Sequence, residues 1–211
     1  MYLPKHFEVT DPATIRGVVH GCPLAVWAAV VDGQPVVNHV PFHLDESRGE
    51  HGTLIGHVAR ANPIWRTPGP AVLVFQGPDA YVSPSWYPGK REHGKVVPTW
   101  NYAVVHAHGI PQVTEDRAVL HRIVSQLTTV HESPRAQPWA VTDAPPDYIA
   151  QMLNAIVGIE VPVQRWVAKF KLSQNHPAAT RQGVVAGLTQ ANPAHPLAAL
   201  MQSIEPTRGP T

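Results

Sequence analysis

Proline constrains this chain more than any other residue type. It occupies 23 of 211 positions, and in the first half it recurs too often for a long helix to pass between its copies. The intervals are short, and several are β-branched and apolar. Leu24 to Val31 is such a run, Asp32-Gly33 is a hairpin turn signal, and Pro35 to Leu44 resumes as a strand through Val36, Val37 and Val40. Asp45 to Gly52 reads as a loop. Thr53 to Ala59 is another strand, turned by Arg60-Ala61-Asn62-Pro63, and Ala71 to Phe75 and Ala80 to Val82 supply more strand. Asn101 to Val113 alternates as one long strand, and Ile159 to Leu172 is the last.

Helices enter at the ends. Asp11-Pro12 is an N-cap followed by proline at the first helical position, and Ile15, Val18 and Val19 recur at helical spacing up to Gly21. A helix begins at Thr114 and carries Val119, Leu120, Ile123, Val124 and Leu127 on one face. Another follows Pro145-Pro146 with Ile149, Met152, Leu153 and Ile156. The tail from Pro177 to Ile204 is helical, broken at Asn192-Pro193 and Pro196. Strands at close spacing with helices only between the later ones predict a mainly β fold with peripheral α, a small antiparallel barrel, because parallel βαβ repeats need a helix after each strand. The length suits a single domain, residues 1–211, with a helical C-terminal tail over about 176–205.

With 16 Lys and Arg against 15 Asp and Glu, the chain has no strong field for nucleic acid or an anionic membrane. Cys22 is the only cysteine, so no internal disulfide forms, and a reducing cytoplasm is expected. Lys5 and His6 are followed by no apolar signal region, and no run of about 18 apolar residues occurs, which predicts a soluble protein. The pairs His39/His43 and His106/His108 have strand spacings that a metal could use. Without a cysteine partner or an HExxH motif, no metal site is assigned. GxSxG, Walker A and GxGxxG motifs are absent as well. A helix-turn-helix sought in Ala178 to Ala191 and His195 to Ile204 has an apolar second helix, Leu197 to Met201. No Arg or Lys lies between Arg181 and Arg208 to hold phosphate.

Chemistry concentrates in Gly77 to Tyr87 and Val97 to Tyr102. Ser83 and Ser85 flank a proline, Trp86, Trp100 and Tyr102 offer flat faces, and Thr99 and Asn101 offer hydrogen-bonding groups. Such a set can receive a planar, hydrogen-bonding ring system. An ordinary barrel corner, with aromatics in the core and prolines at the turns, uses the same residues. Pro88 to Lys95 is charged and glycine-flanked, and reads as a mobile lid or a dimer-facing loop.

The opening Met1-Tyr2-Leu3-Pro4-Lys5-His6-Phe7, the GPxAYVSPSWY segment, the VPTWNYxxVHxxG run ending at Gly109, and Lys171-Leu172-Ser173-Gln174-Asn175 together resemble the PaiB family. Its members are described as FMN-binding negative transcriptional regulators on the flavin split-barrel fold. The resemblance implies a six-stranded antiparallel split β-barrel with added helices, an FMN cofactor, and a homodimer with flavin at the subunit interface. As a regulator the chain would sense flavin or redox state, through DNA or through a protein partner, although its charge supports direct DNA binding only weakly. As a flavin-dependent oxidoreductase, the alternative, the same site would act on a small substrate. A haem-binding or haem-degrading barrel is a third option.

For the site, the resemblance points to Asn38, His39, Val40 and Pro41 along the isoalloxazine edge. It points to His57, Ala59, Arg60, Ala61 and Asn62 on the phosphate side, where the Arg60 guanidinium is expected to be solvated and otherwise unpaired. Ser83, Ser85, Trp86, Trp100, Asn101 and Tyr102 form the aromatic wall, and Lys169 and Gln174 mark a second edge. Lys169 and Lys171 alternate with Phe170 and Leu172, so both lysines are expected on a polar face. Trp86, Tyr87, Trp100 and Tyr102 are expected at or near the dimer interface.

Overall fold

The computed structural model describes residues 1–67 and 69–204. A two-residue strand, β1 (Glu8–Val9), precedes helix α1 (Pro12–Gly21). Asp11 opens that helix as its position predicts, its carboxylate accepting the Thr14 N–H at 2.8 Å and the Thr14 hydroxyl at 2.6 Å. Strands β2 (Leu24–Val31) and β3 (Gln34–Asp45) form the expected hairpin, in register from Leu24 opposite Pro41 to Val31 opposite Gln34. The turn between them holds Asp32 at φ 49° and Gly33 at φ 75°, the left-handed pair that a two-residue hairpin of this twist requires.

After β4 (Thr53–Ala59) comes β5, which runs unbroken over Ala71–Val82, where the sequence suggested two pieces around Gly77-Pro78. Glycine permits the continuity, since a Cβ at position 77 would crowd the side chain and carbonyl of Ala103. The segment expected to be a mobile loop contains one turn of helix, α2 (Gly89–Glu92), tied by Lys90 Nζ donating to Ser85 Oγ at 3.0 Å. The long strand expected over 101–113 is two strands, β6 (Thr99–Gly109) and β7 (Gln112–Thr114). They are separated at Pro111, which has no N–H to give a ladder.

Helix α3 (Arg117–Glu132) starts three residues later than the periodicity implied. Asp116 is its cap, accepting the Val119 N–H at 2.9 Å, while Thr114 is paired with Gly158 in β7. Helix α4 (Pro146–Asn154) ends early for a similar reason, because Ile156 is already the first residue of β8 (Ile156–Lys171). Helices α5 (Ala178–Ala191) and α6 (Pro196–Ser203) form the tail as expected. Its outer limit at residue 205, like Arg208, lies outside the described residues.

The strands join in the order β1-β8-β4-β3-β2-β5-β6, and β8 also pairs with β6. Six of them, β2 to β6 and β8, therefore close into a hydrogen-bonded ring, the six-stranded barrel expected. Short β1 and β7 are two further strands that bring the sheet to eight, each paired antiparallel with β8.

The chain packs as two compact units. A central unit comprises Val19–Phe75 and His106–Trp166. A terminal unit comprises Met1–Val18, Gln76–Val105 and the chain from Val167 onward. Strands β5, β6 and β8 each run from one unit into the other. In the central unit Trp27, Phe42, Leu54, Ile64, Leu73 and Phe75 are fully buried, and Ile55 packs with Ile123 and Leu127 of α3. In the terminal unit the buried set includes Phe170, Leu172, Val184, Leu188, Leu197 and Met201.

Candidate functional site

Strand alternation and the hairpin register fix one face of the central unit. Leu24, Val26, Ala28 and Val30 of β2 stand beside Pro41, His39, Val37 and Pro35 of β3, and Val74 and Val72 of β5 flank Val26 and Ala28. The opposite face of the same strands carries Ala25, Trp27, Val40, Phe42 and Leu73, all buried. The first face is bare. Leu24 is 58% exposed, Val30 63% and Val37 55%, in a row of apolar side chains that solvent should not be left to cover.

The residues expected along the flavin edge divide between these faces. His39 and Pro41 lie on the bare side, Asn38 and Val40 on the other. Asn62 joins them from the next turn, its Nδ2 donating to Asn38 Oδ1 at 2.7 Å and its Oδ1 accepting the Ile64 N–H at 3.1 Å. Ala59 and Ala61 are exposed, so only their backbones and small methyls are on offer. Pro41 and His57 line one cleft of about 310 Å³ with Leu127, Thr128, His131, Glu132 and Trp139. Burial pushes the His57 imidazole below its ordinary pKa, and its Nδ1 is buried without a hydrogen-bond partner.

Arg60 differs from expectation. Its guanidinium is ion-paired with Glu115, and it donates from Nε to the Asn154 carbonyl at 2.8 Å and from Nη2 to the Ile156 carbonyl at 3.2 Å. It ties the end of β4 to the chain between α4 and β8. A cation that sequence reasoning missed ends the short 3-10 helix Pro63–Arg66 that follows this turn: Arg66 is exposed and stacks on the Trp65 ring at 4.8 Å. The only available signal was its position just after Asn62-Pro63.

Most of the terminal-unit candidates are held by neighbours within that unit. Ser83 Oγ accepts the Ser85 N–H at 3.2 Å and caps a short turn. Trp86 lies against α5, its ring over Gly187 and its carbonyl against Gly183. Tyr87, expected near an interface, is only 5% exposed and stacks on His176 with ring centroids 5.7 Å apart. Asn101 is fully buried, donating to Ser173 Oγ at 2.9 Å. Gln174 is used by its own turn: Oε1 accepts the Leu172 N–H at 2.7 Å and Nε2 donates to the Phe170 carbonyl at 2.6 Å.

Lys169 corrects the polar-face expectation. It is 8% exposed, donates to the Tyr2 carbonyl at 3.1 Å, and lies 5.5 Å from the ring centroids of both Tyr2 and Tyr102. Trp100, edge-on to Tyr81, remains exposed. Among the described residues no group of three or more His, Cys, Asp or Glu side chains is placed to hold a metal ion.

Residues 1–165 match the family described as "Putative FMN-binding domain". The chain belongs to that family. It is 33% identical over 207 residues to the "Protease synthase and sporulation protein PAI 2" of Bacillus subtilis, an alignment covering 96% of this chain and 97% of the relative. Two solved structures share its fold. A conserved hypothetical protein of Mycobacterium tuberculosis has TM-score 0.57 at 15% identity, covering 84% of this chain and 94% of that one. A FAD and haem binding protein of Mycobacterium smegmatis has TM-score 0.53 at 18% identity, covering 78% and 73%.

The PaiB resemblance and the split-barrel class therefore stand, and FMN is the cofactor of the family to which the chain belongs. The residues present suit it. A flavin needs an apolar surface for its ring, hydrogen-bonding groups at the ring edge and a cation for its phosphate. The central unit offers the bare β2–β3–β5 face, the orphaned His57 Nδ1 and the exposed Arg66, while Asn38 lies on the opposite face and is held by Asn62.

Proposed function

We propose that the protein is a cytoplasmic homodimer that binds FMN and acts as a PaiB-like negative regulator of transcription, responding to flavin or to its redox state. The bare apolar face of β2, β3 and β5 carries this reading. Covering Leu24, Val30, Val37 and their neighbours with a second copy removes them from water at about 25 cal/mol per Å² buried. His39, Pro41 and His57 would border the flavin ring, and Arg66 with the turn from Ala59 to Asn62 would hold the phosphate. Bound FMN supplies one- or two-electron redox chemistry. The chain orients it and excludes water. Helix α6 buries Leu197, Ala198 and Met201, so a protein partner suits the regulatory role better than direct reading of DNA. No helix among the described residues is long and apolar enough to cross a membrane.

The test combines an absorption spectrum with sedimentation of the purified chain. Flavin bands and a dimer at about 50 micromolar are expected, with Val37→Asp giving a folded monomer of much weaker FMN affinity. A haem Soret band, or a monomer that holds FMN at full affinity, would overturn the proposal.

A further inference from the structure

The terminal unit contains a cleft of about 560 Å³ whose chemistry the flavin reading does not use. Its walls are the 87–99 segment, the end of β8, the Asn175-His176-Pro177 turn and the first residues of α5. Lys171 is held at its side, donating to the Trp100 carbonyl at 2.9 Å and to Thr99 Oγ1. An ammonium has three N–H bonds, so one is left for the cleft. Helix α5 begins at the same place with no side-chain cap, and its second and third residues, Ala179 and Thr180, line the cavity. Their N–H groups have no partner within the helix, and the helix dipole adds partial positive charge.

Lys95 stands on the loop wall, and among the described lining residues Glu92 is the single carboxylate. The rest of the surface is largely apolar. Val97, Pro98 and the His176 ring line it, His176 stacked on Tyr87. Burial first, and the Lys171 charge second, keep the His176 pKa low, so the ring presents a neutral face at pH 7. Tyr87, 5% exposed, keeps its buried hydroxyl without a hydrogen-bond partner.

We propose that this cleft binds a small organic anion, a planar carboxylate or phosphate monoester, with Lys171 and the α5 N-terminus holding the anionic group and Val97, Pro98 and His176 packing against its body. The cleft lies wholly in the terminal unit and its assignment stands without the flavin residues proposed in the central unit. In a flavin-binding regulator it would receive the effector.

Calorimetric titration of the full chain, loaded with FMN, tests this with benzoate, phenyl phosphate and the neutral benzamide. The two anions should bind at least about 10-fold more tightly than benzamide, a charge-assisted hydrogen bond being the difference. Lys171→Gln should weaken benzoate by about 10-fold or more and leave benzamide unchanged. Lys95→Gln, at an exposed loop position where folding is not at issue, should weaken benzoate by about 2- to 5-fold. Equal affinity for benzoate and benzamide, or unchanged benzoate affinity in both variants, overturns the proposal. FMN content is read by absorbance in parallel. Loss of FMN from Lys171→Gln would make the cleft part of the flavin site and overturn the separate anion site. A wild-type chain that binds benzoate but never FMN would leave the anion site standing and sink the flavin reading.

Discussion

Arg60 and Arg66 lie six residues apart, in the turn after β4 and at the end of the 3-10 helix Pro63–Arg66, and have different partners, so their substitution should separate stability from binding. Arg60 loses two hydrogen bonds to carbonyls and an ion pair whose side chains are 38% and 54% exposed. The exposed pair contributes little, so Arg60→Ala should cost about 1 to 2 kcal/mol in urea unfolding, most of it from the carbonyl contacts. Its FMN-to-riboflavin affinity ratio should stay as in wild type, because Glu115 already neutralises the guanidinium. Arg66→Ala should leave stability within about 0.5 kcal/mol and lower that ratio about 10-fold, since riboflavin lacks the phosphate. The reverse pattern would make Arg60 the anchor. Sequence placed Arg60 correctly at a strand end, yet Glu115, Asn154 and Ile156 approach it only through the fold. Gln174 was illegible for a different reason: a side chain that bonds its own turn has the same one-letter signature as one that waits for a ligand.

Helix α5 shows the same limit at the scale of an element. Its span was readable from Pro177 and Asn192-Pro193, but its glycines looked like ordinary weak points in a helix. Gly183 and Gly187, one turn apart on one face, are where Trp86 lies, and a Cβ at either position would overlap the Trp86 carbonyl or ring. Alanine is the better helix former by about 1 kcal/mol. The overlap decides the outcome all the same, because the neighbour is a ring packed in place rather than the end of a flexible side chain. Gly187→Ala should therefore destabilise by about 1 to 3 kcal/mol in denaturant unfolding. Adding Trp86→Leu, which shortens the obstructing side chain, should recover part of that loss. If Gly187→Ala stabilises the protein, Trp86 does not hold this position.

The ring of six strands was legible because its evidence is local: an Asp-Gly turn, β-branched runs and punctuating prolines. The pairing of β8 with both β4 and β6 leaves no local mark, and neither does the choice of which histidines become buried. Burial is the largest cause holding His43, His57, His106, His108 and His176 below the ordinary value of 6.5. The sign follows from proton counting. Below about pH 6.5 these side chains take up protons in the unfolded chain before they do so in the folded one, so acidification favours unfolding. Their contribution is fully present above that pH and is lost as pH falls through the depressed folded values. Each histidine adds a slope of at most about 1.4 kcal/mol per pH unit. The carboxylates of Asp11, Asp45 and Glu160, held below their ordinary values chiefly by hydrogen bonds from Thr14, Ser47 and Arg48, add a second loss that begins only nearer pH 4.5. Urea midpoints should thus be flat between about pH 7 and 8 and fall clearly by pH 5.5. In His57→Gln, which cannot titrate, the slope between 6.5 and 5.5 should be shallower. A midpoint that holds or rises on acidification would mean that these histidines are protonated in the folded chain, with His57 paired to an anion such as the Glu132 carboxylate that lines its cleft.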